Sequence, residues 1–220
     1  MIQRVLDIIF CSTAIILLLP VIFPILIILR FTGEGEILYK QKRVGMYGKE
    51  FILFKFATML KNSPSMGAGD ITLHNDPRVL PFGTFLRKTK INELPQLLNI
   101  LNGDMSIVGP RPMVPKTYSK YSKSARLIMN TVRPGLTGIG SIFFRDEEKF
   151  LSNNKDSMDF YQTTIIPYKS LLELWFVDNN SIYLYFKIII VTVWVVLFPK
   201  SKNYLYFFKE LPKKPDSLVI

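Results

Sequence analysis

Two long apolar runs bracket a chain of otherwise mixed polarity. From Ile8 to Leu29 nearly every residue is apolar, and Pro20 and Pro24 interrupt the run. Its length permits a membrane-spanning helix. Each proline removes a backbone donor and crowds the preceding turn, so the pattern predicts helix, break, helix, with Pro20 and Pro24 at the break. Arg4 precedes the run, and Arg30, Lys40, Lys42 and Arg43 follow it. Positive charge on both flanks selects no orientation, as expected when both ends stay on the cytoplasmic side. No small-x-small cleavage site follows, which argues against a secretory signal. A re-entrant hairpin in one leaflet and a kinked spanning helix both satisfy these residues. The second run, Ser181–Leu197 (SIYLYFKIIIVTVWVVL), carries Lys187 as its one charge and Tyr183, Tyr185 and Trp194 among its aromatics. It predicts a helix apolar nearly all round, long enough to approach a span. Its aromatics favour the headgroup zone and a helix lying on the surface.

Between the runs the periodicity shortens. Glu36–Gln41 and Glu50–Phe56 read as short extended segments around Gly45 and Gly48. Asn62–Asp70, rich in Ser, Pro and Gly, reads as a loop. In Asn92–Leu101, Leu94, Leu97, Leu98 and Leu101 recur at i, i+3, i+4 and i+7, which predicts a helix with that face buried. Asn92 is placed to cap it, with Glu93 and Pro95 in the first turn. Pro115–Thr131 reads as a basic surface helix, and the tail from Lys200 is basic and aromatic.

Composition changes this picture in one respect. A chain of 220 residues that is 49% hydrophobic also carries a net charge of +11. Apolar segments combined with basic charge point to a membrane surface or an anionic substrate. Nucleic acid is disfavoured, because no zinc-finger, RRM-like or basic-helix pattern occurs. The lone Cys11 excludes a disulfide framework and a cysteine metal site, and the lone His74 excludes a histidine cluster. His74 is expected to be solvated or locally hydrogen-bonded.

The candidate chemistry is concentrated in Leu86–Pro112, LRKTKINELPQLLNILNGDMSIVGPRP. Arg87 and Lys88, the carboxylate of Glu93, an acidic turn at Gly103-Asp104 and a Gly-Pro-Arg-Pro corner suit a phosphate-bearing substrate held with a divalent cation. A second stretch, Arg133–Arg145 (RPGLTGIGSIFFR), carries glycines at 135, 138 and 140 that permit close backbone approach.

These two stretches together resemble the bacterial sugar transferases, monotopic phosphoglycosyl transferases that start exopolysaccharide and glycan assembly. The resemblance covers nearly the whole chain. It implies an α/β fold, mainly α, in three parts: a re-entrant membrane hairpin over 1–33, a small cytosolic catalytic domain with short strands over 34–180, and an interfacial helix with a basic tail over 181–220. It implies transfer of a sugar 1-phosphate from a UDP-sugar to a polyprenyl phosphate, undecaprenyl phosphate, with release of UMP and with Mg²⁺ as cofactor. The expected location is the cytoplasmic face of a bacterial inner membrane, and a homo-oligomer is an open expectation. In the family an Asp-Glu pair supplies the nucleophile, through a phospho-aspartyl intermediate. Glu93 matches the Glu of that pair and is the expected metal or catalytic carboxylate. Lys55 matches the basic residue of a Lys-Phe-x-x-Met motif. Arg87, Arg111 and Arg145 match positions suited to phosphate or nucleotide.

Three positions depart from the family pattern. Asn92 stands where the nucleophilic Asp is usual, Ala57 where a basic residue is frequent, and Leu19 replaces the Ser before Pro20. An amide cannot form an acyl phosphate. The acidic run Asp146-Glu147-Glu148 after Arg145 offers a substitute, with Asp146 the first candidate nucleophile or metal ligand and Glu93 the second. The plain alternative is that these acids start a helix. A catalytically silent scaffold that binds polyprenyl phosphate or a partner enzyme is the competing function.

Overall fold

The computed structural model describes residues 2–66, 76–145, 147, 157–198, 201, 207–208 and 210–218. His74, Asp146 and part of the Asn62–Asp70 loop and the basic tail lie outside them. The architecture is mainly helical, with two sheets of two strands each among the described residues. The chain divides into two compact units, Met1–Gln41 with Ile52–Gly103, and Lys42–Phe51 with Asp104–Ile220.

The first unit is dominated by α1, Ile2–Phe31, the one described helix long and apolar enough to cross a membrane. At 1.5 Å per residue it is about 45 Å long. The expected break is corrected: the chain stays helical through both Pro20 and Pro24. Proline's locked φ is itself helical, so each residue deletes a hydrogen bond without forcing non-helical dihedrals. The deleted bonds would have ended on the carbonyls of Ile16 and Pro20, which sit one turn apart on the same face.

Strand β1 (Leu38–Val44) turns through Met46–Gly48 into β2 (Glu50–Phe56), as the extended segments predict. Helix α2 (Pro81–Lys88) and α3 (Gln96–Asn102) follow. Ile25 and Leu29 of α1, Phe56 of β2 and Leu86 of α2 form one buried cluster, with Ile91 and Leu94 packed against it. At the other end of α1, the Arg4 guanidinium donates to the carbonyls of Ile100 and Leu101. A cation there meets the partial negative charge at the end of α3.

Helix α3 differs from its predicted form. It starts at Gln96 rather than Asn92, because Ile91–Glu93 forms a separate 3₁₀ turn after Lys90, whose φ is +61°. Its buried face is also shifted. Leu98 is 47% exposed, whereas the polar Gln96 and Asn99 are buried. Asn99 explains the shift: its Nδ2 donates to Ile52 O at 2.7 Å, and its Oδ1 accepts from Phe54 N at 3.0 Å. The side-chain amide thus pairs with the edge of β2 as a neighbouring peptide would.

In the second unit, β3 (Ser106–Val108) pairs in parallel with β4 (Gly135–Thr137), Ser106 opposite Gly135 and Val108 opposite Thr137. The crossover contains α4 (Pro115–Tyr118) and α5 (Lys123–Met129). The single surface helix predicted over Pro115–Thr131 is therefore two. Ser122 caps the second, accepting from Ala125 N at 3.1 Å, and so restarts the helix. Helix α6 (Ile139–Phe143) follows β4. Then α7 (Ser157–Phe160) runs through a π-helical turn, Tyr161–Ile165, into α8 (Ile166–Asp178). Ile166 packs with Tyr121, Ala125 and Met129. Helix α9 (Ile182–Leu197) forms as predicted, capped by Ser181. It buries Leu184, Tyr185, Ile188, Val191 and Val195 and leaves Tyr183, Ile190, Val193 and Leu197 exposed.

The Asn99 pairing sets an expected stability cost. Asn99→Ala strands one donor and one acceptor of β2 and should destabilise the protein by about 2–3 kcal/mol. Denaturant unfolding of the detergent-solubilised protein measures it, and a loss below about 0.5 kcal/mol would contradict this account of α3.

Candidate functional site

In the first unit, β2 and the turn before α3 bring two predicted residues into contact. Lys55 Nζ lies 3.2 Å from Glu93 Oε1, and both side chains are 17% exposed. Lys55 is carried by a strand whose position relative to α3 is held by the Asn99 amide. Glu93 closes the 3₁₀ turn, its N–H bonded to Lys90 O at 3.1 Å. A pair this secluded is screened less than a surface ion pair, so each charge helps keep the other in place.

Asn92 precedes Glu93 on the same turn and is 6% exposed. The expected capping role is corrected, since neither the turn nor α3 has a side-chain cap. Instead Asn92 Oδ1 is buried with no hydrogen-bond partner among the described residues. A buried acceptor left unbonded costs free energy of about 1–3 kcal/mol. Such an atom is available to a cation or to a donor on a bound molecule. Arg87 belongs to the last turn of α2, with Nη1 3.8 Å from Met59 Sδ. Ala57 is buried at the end of β2, its N–H bonded to Ile37 O, so a long basic side chain is not accommodated there without change.

The second unit holds Arg111 and Arg145. Arg111 sits in the Gly109–Pro112 corner, which is bonded on several sides. Gly109 N donates to Thr137 O at 2.9 Å, Gly135 N to Pro110 O at 2.8 Å, and Arg43 Nη1 to Pro112 O at 2.9 Å. The corner and the Gly135–Gly138 stretch approach so closely that a Cβ on Gly135 would lie 2.1 Å from Gly109 N. The glycines at 135 and 138 thus serve chain-to-chain packing. Arg145 ends the turn after α6, and its Nη1 is buried without a hydrogen-bond partner among the described residues. Of the acidic run, Glu147 pairs with Lys169 Nζ at 2.6 Å.

One residue here was not anticipated. Glu173, in the apolar string LLELWF of α8, is buried, with 4% of its surface exposed. Its Oε1 accepts from Arg111 N at 3.3 Å, while Oε2 has no partner among the described residues. Burial pushes its carboxyl up to about 7, against the opposing pull of the Arg111 N–H and of Lys169 and Arg111. A lone acid inside an apolar helical string was the available signal, but nothing local distinguishes such an acid from one facing solvent.

A family model for bacterial sugar transferases matches residues 1–199. The chain is 35% identical over 209 residues to an uncharacterized sugar transferase of Haemophilus influenzae, covering 89% of this chain and 41% of the relative. It is 34% identical over 164 residues to the exopolysaccharide production protein ExoY of Rhizobium meliloti, covering 68% and 72%. It is 31% identical over 196 residues to the UDP-glucose:undecaprenyl-phosphate glucose-1-phosphate transferase of Escherichia coli, covering 88% and 39%. The chain thus spans about two fifths of the Haemophilus and Escherichia relatives and most of the Rhizobium one. It belongs to the bacterial sugar transferase family.

The raised Glu173 pKa predicts a pH-dependent stability. Between its ordinary value of 4.5 and about 7 the folded state keeps a proton that the unfolded state has lost. The Glu173 contribution to stability is therefore fully present below 4.5 and is lost as pH rises through 7. Unfolding measured from pH 5 to 8 should show this decline, and Glu173→Gln should lack it. An identical profile in the variant would refute the assignment.

Proposed function

We propose that this protein transfers a sugar 1-phosphate from a UDP-sugar to undecaprenyl phosphate or a related polyprenyl phosphate, with release of UMP. The observation that carries the reading is the secluded Lys55–Glu93 pair, with the buried, unbonded Asn92 oxygen on the same turn as Glu93, within a chain matched by the family over residues 1–199. The named activity of the Escherichia coli relative is of this kind. Arg111 and Arg145 are assigned to the diphosphate and nucleotide, for which a planar guanidinium is suited.

Glu93 is the proposed attacking carboxylate. Its oxygen bonds to the phosphorus that bears the sugar, and the bond from that phosphorus to the UMP oxygen breaks, so UMP leaves with the electron pair. An oxygen of the polyprenyl phosphate then attacks the same phosphorus and releases the Glu93 carboxylate. Lys55 holds Glu93 in place and offsets charge as the anions meet. Asn92 contributes an oriented amide. Asp146, the other candidate, remains a proposal on sequence alone.

Mg²⁺ is the proposed cofactor. The Glu93 carboxylate and the unbonded Asn92 Oδ1 are hard oxygens on one turn, and they fit a cation that takes few protein ligands and completes its shell with water and substrate phosphates. When bound, the ion would offset the charge of the diphosphate.

Helices α1 and α9 support a membrane location. Helix α1 is apolar and mostly exposed, which supports membrane association. We place the enzyme at the cytoplasmic face of the inner membrane, with residues 1–33 re-entrant, 34–180 cytosolic and 181–220 interfacial. The basic flanks on both sides of α1 support re-entry, and the two hydrogen bonds that Pro20 and Pro24 remove from the continuous helix mark where it would bend. Helix α9 has 16 residues, fewer than the roughly 20 a span requires. One of its faces is already buried, which favours a helix lying on the surface with the other face in lipid.

The Asn92 amide supports a second reading, a silent relative that binds polyprenyl phosphate or a partner as a scaffold. A UMP-release assay with a panel of UDP-sugars, undecaprenyl phosphate and Mg²⁺ separates the two. The transferase reading expects turnover, a loss of about a thousandfold or more in Glu93→Gln and of about a hundredfold in Lys55→Ala. It also expects retained turnover in Asp146→Ala. No UMP from any donor, with activity appearing in Asn92→Asp, would establish the scaffold instead.

A further inference from the structure

The proposed chemistry leaves Glu173 unused, although no other described acid is at once buried, half unbonded and in contact with a motif residue. Helix α8 presents it to the Gly109–Pro112 corner and to α6. There Oε1 accepts the Arg111 N–H. It also lies where the side chain of residue 140 would begin, since a Cβ on Gly140 would be 2.4 Å from Oε1. A glycine at 140 is therefore required for the carboxyl to reach the corner.

We propose that Glu173 is a positioning residue: its carboxyl latches the Gly109–Pro112 corner through the Arg111 N–H and so sets the direction of the Arg111 guanidinium. The proposal rests on the reading that Arg111 binds substrate phosphate. It extends that reading from the motif to a residue some sixty positions away that touches no substrate.

The latch has two settings. As a carboxylate, Glu173 is the stronger acceptor and holds the Arg111 N–H by a charge-assisted bond. As a neutral acid it holds that N–H more weakly, and the proton occupies an oxygen. The surrounding groups allow both. Lys169 lies one turn earlier on α8 and is engaged by Glu147 at 2.6 Å. Arg111 faces Glu173 from the corner and Tyr121 from the segment before α5, while on α5 Lys123 is exposed and the Arg126 guanidinium lies over the Tyr118 ring. The π-helical turn brings Tyr161, whose hydroxyl is pushed above its usual range chiefly by burial. Helix α6 contributes no ionisable side chain. Glu173 is thus the group of this set placed to change charge near neutral pH.

Two measurements test the latch on the full-length protein in nanodiscs. The first follows the Arg111 backbone amide by ¹⁵N-resolved NMR from pH 5 to 9. The latch expects its proton shift to titrate with a midpoint near 7 in the native protein and to be flat in Glu173→Gln. No titration, or the same titration in the variant, overturns the proposal whether or not the protein turns over a sugar donor. The second compares donor kinetics. Glu173→Ala should lose about tenfold in kcat/KM, mostly through a raised KM. Glu173→Gln, which keeps an acceptor, should recover most of that loss while lacking the native inflection near pH 7. A variant with an intact inflection overturns the latch. Titration of the amide with no UMP release from any donor would retain the latch and reject the transferase reading.

Discussion

The first unit depends on one side-chain amide. Asn99 donates to Ile52 O and accepts from Phe54 N, so α3 is docked on the strand edge as if it were another strand. Lys55 follows Phe54 directly, and Glu93 ends the turn that leads into α3. Fixing helix to strand therefore fixes the distance between the two charges. Hydrophobic packing alone would not do this, because apolar contacts are non-directional and tolerate sliding. Two hydrogen bonds to successive strand groups do not.

A similar logic governs the second unit with backbone in place of a side chain. The Gly109–Pro112 corner is held by Thr137, Arg43 and Glu173, and the absence of side chains at 109, 135 and 138 lets main chain meet main chain. The corner is consequently stiff without being hydrophobic. A stiff loop is the kind of support a phosphate-binding arginine requires, since a displacement of an ångström at the guanidinium weakens both of its parallel hydrogen bonds. The acidic member of this scaffold, Glu173, is buried, which links the rigidity of the corner to a proton.

The sequence departures acquire different weights once placed. Ala57 lies buried at the strand end, where the chain has packed a small side chain. Asn92 is buried yet unbonded, an arrangement that folding disfavours and that a ligand would relieve. The first reads as accommodation and the second as a site.

Much of the fold was legible from local pattern. The apolar runs at 8–29 and 181–197 became helices, the two extended segments became β1 and β2, and the glycines at 135 and 138 mark close approach. These follow from periodicity, hydrophobicity and the steric reach of a Cβ, all properties of a few neighbouring residues. The motif likewise determined the family and pointed to Lys55, Glu93, Arg111 and Arg145. What tertiary structure alone decided was which polar groups are buried and what they meet. Asn99 took the place that leucine spacing assigned to Leu98, because strand-edge peptide groups had to be satisfied. Asn92 lost its capping role to an intervening 3₁₀ turn. Glu173 became a partner of Arg111 across sixty-two positions of sequence. Each of these outcomes depends on hydrogen-bonding partners distant in the chain, and local sequence carries no record of them.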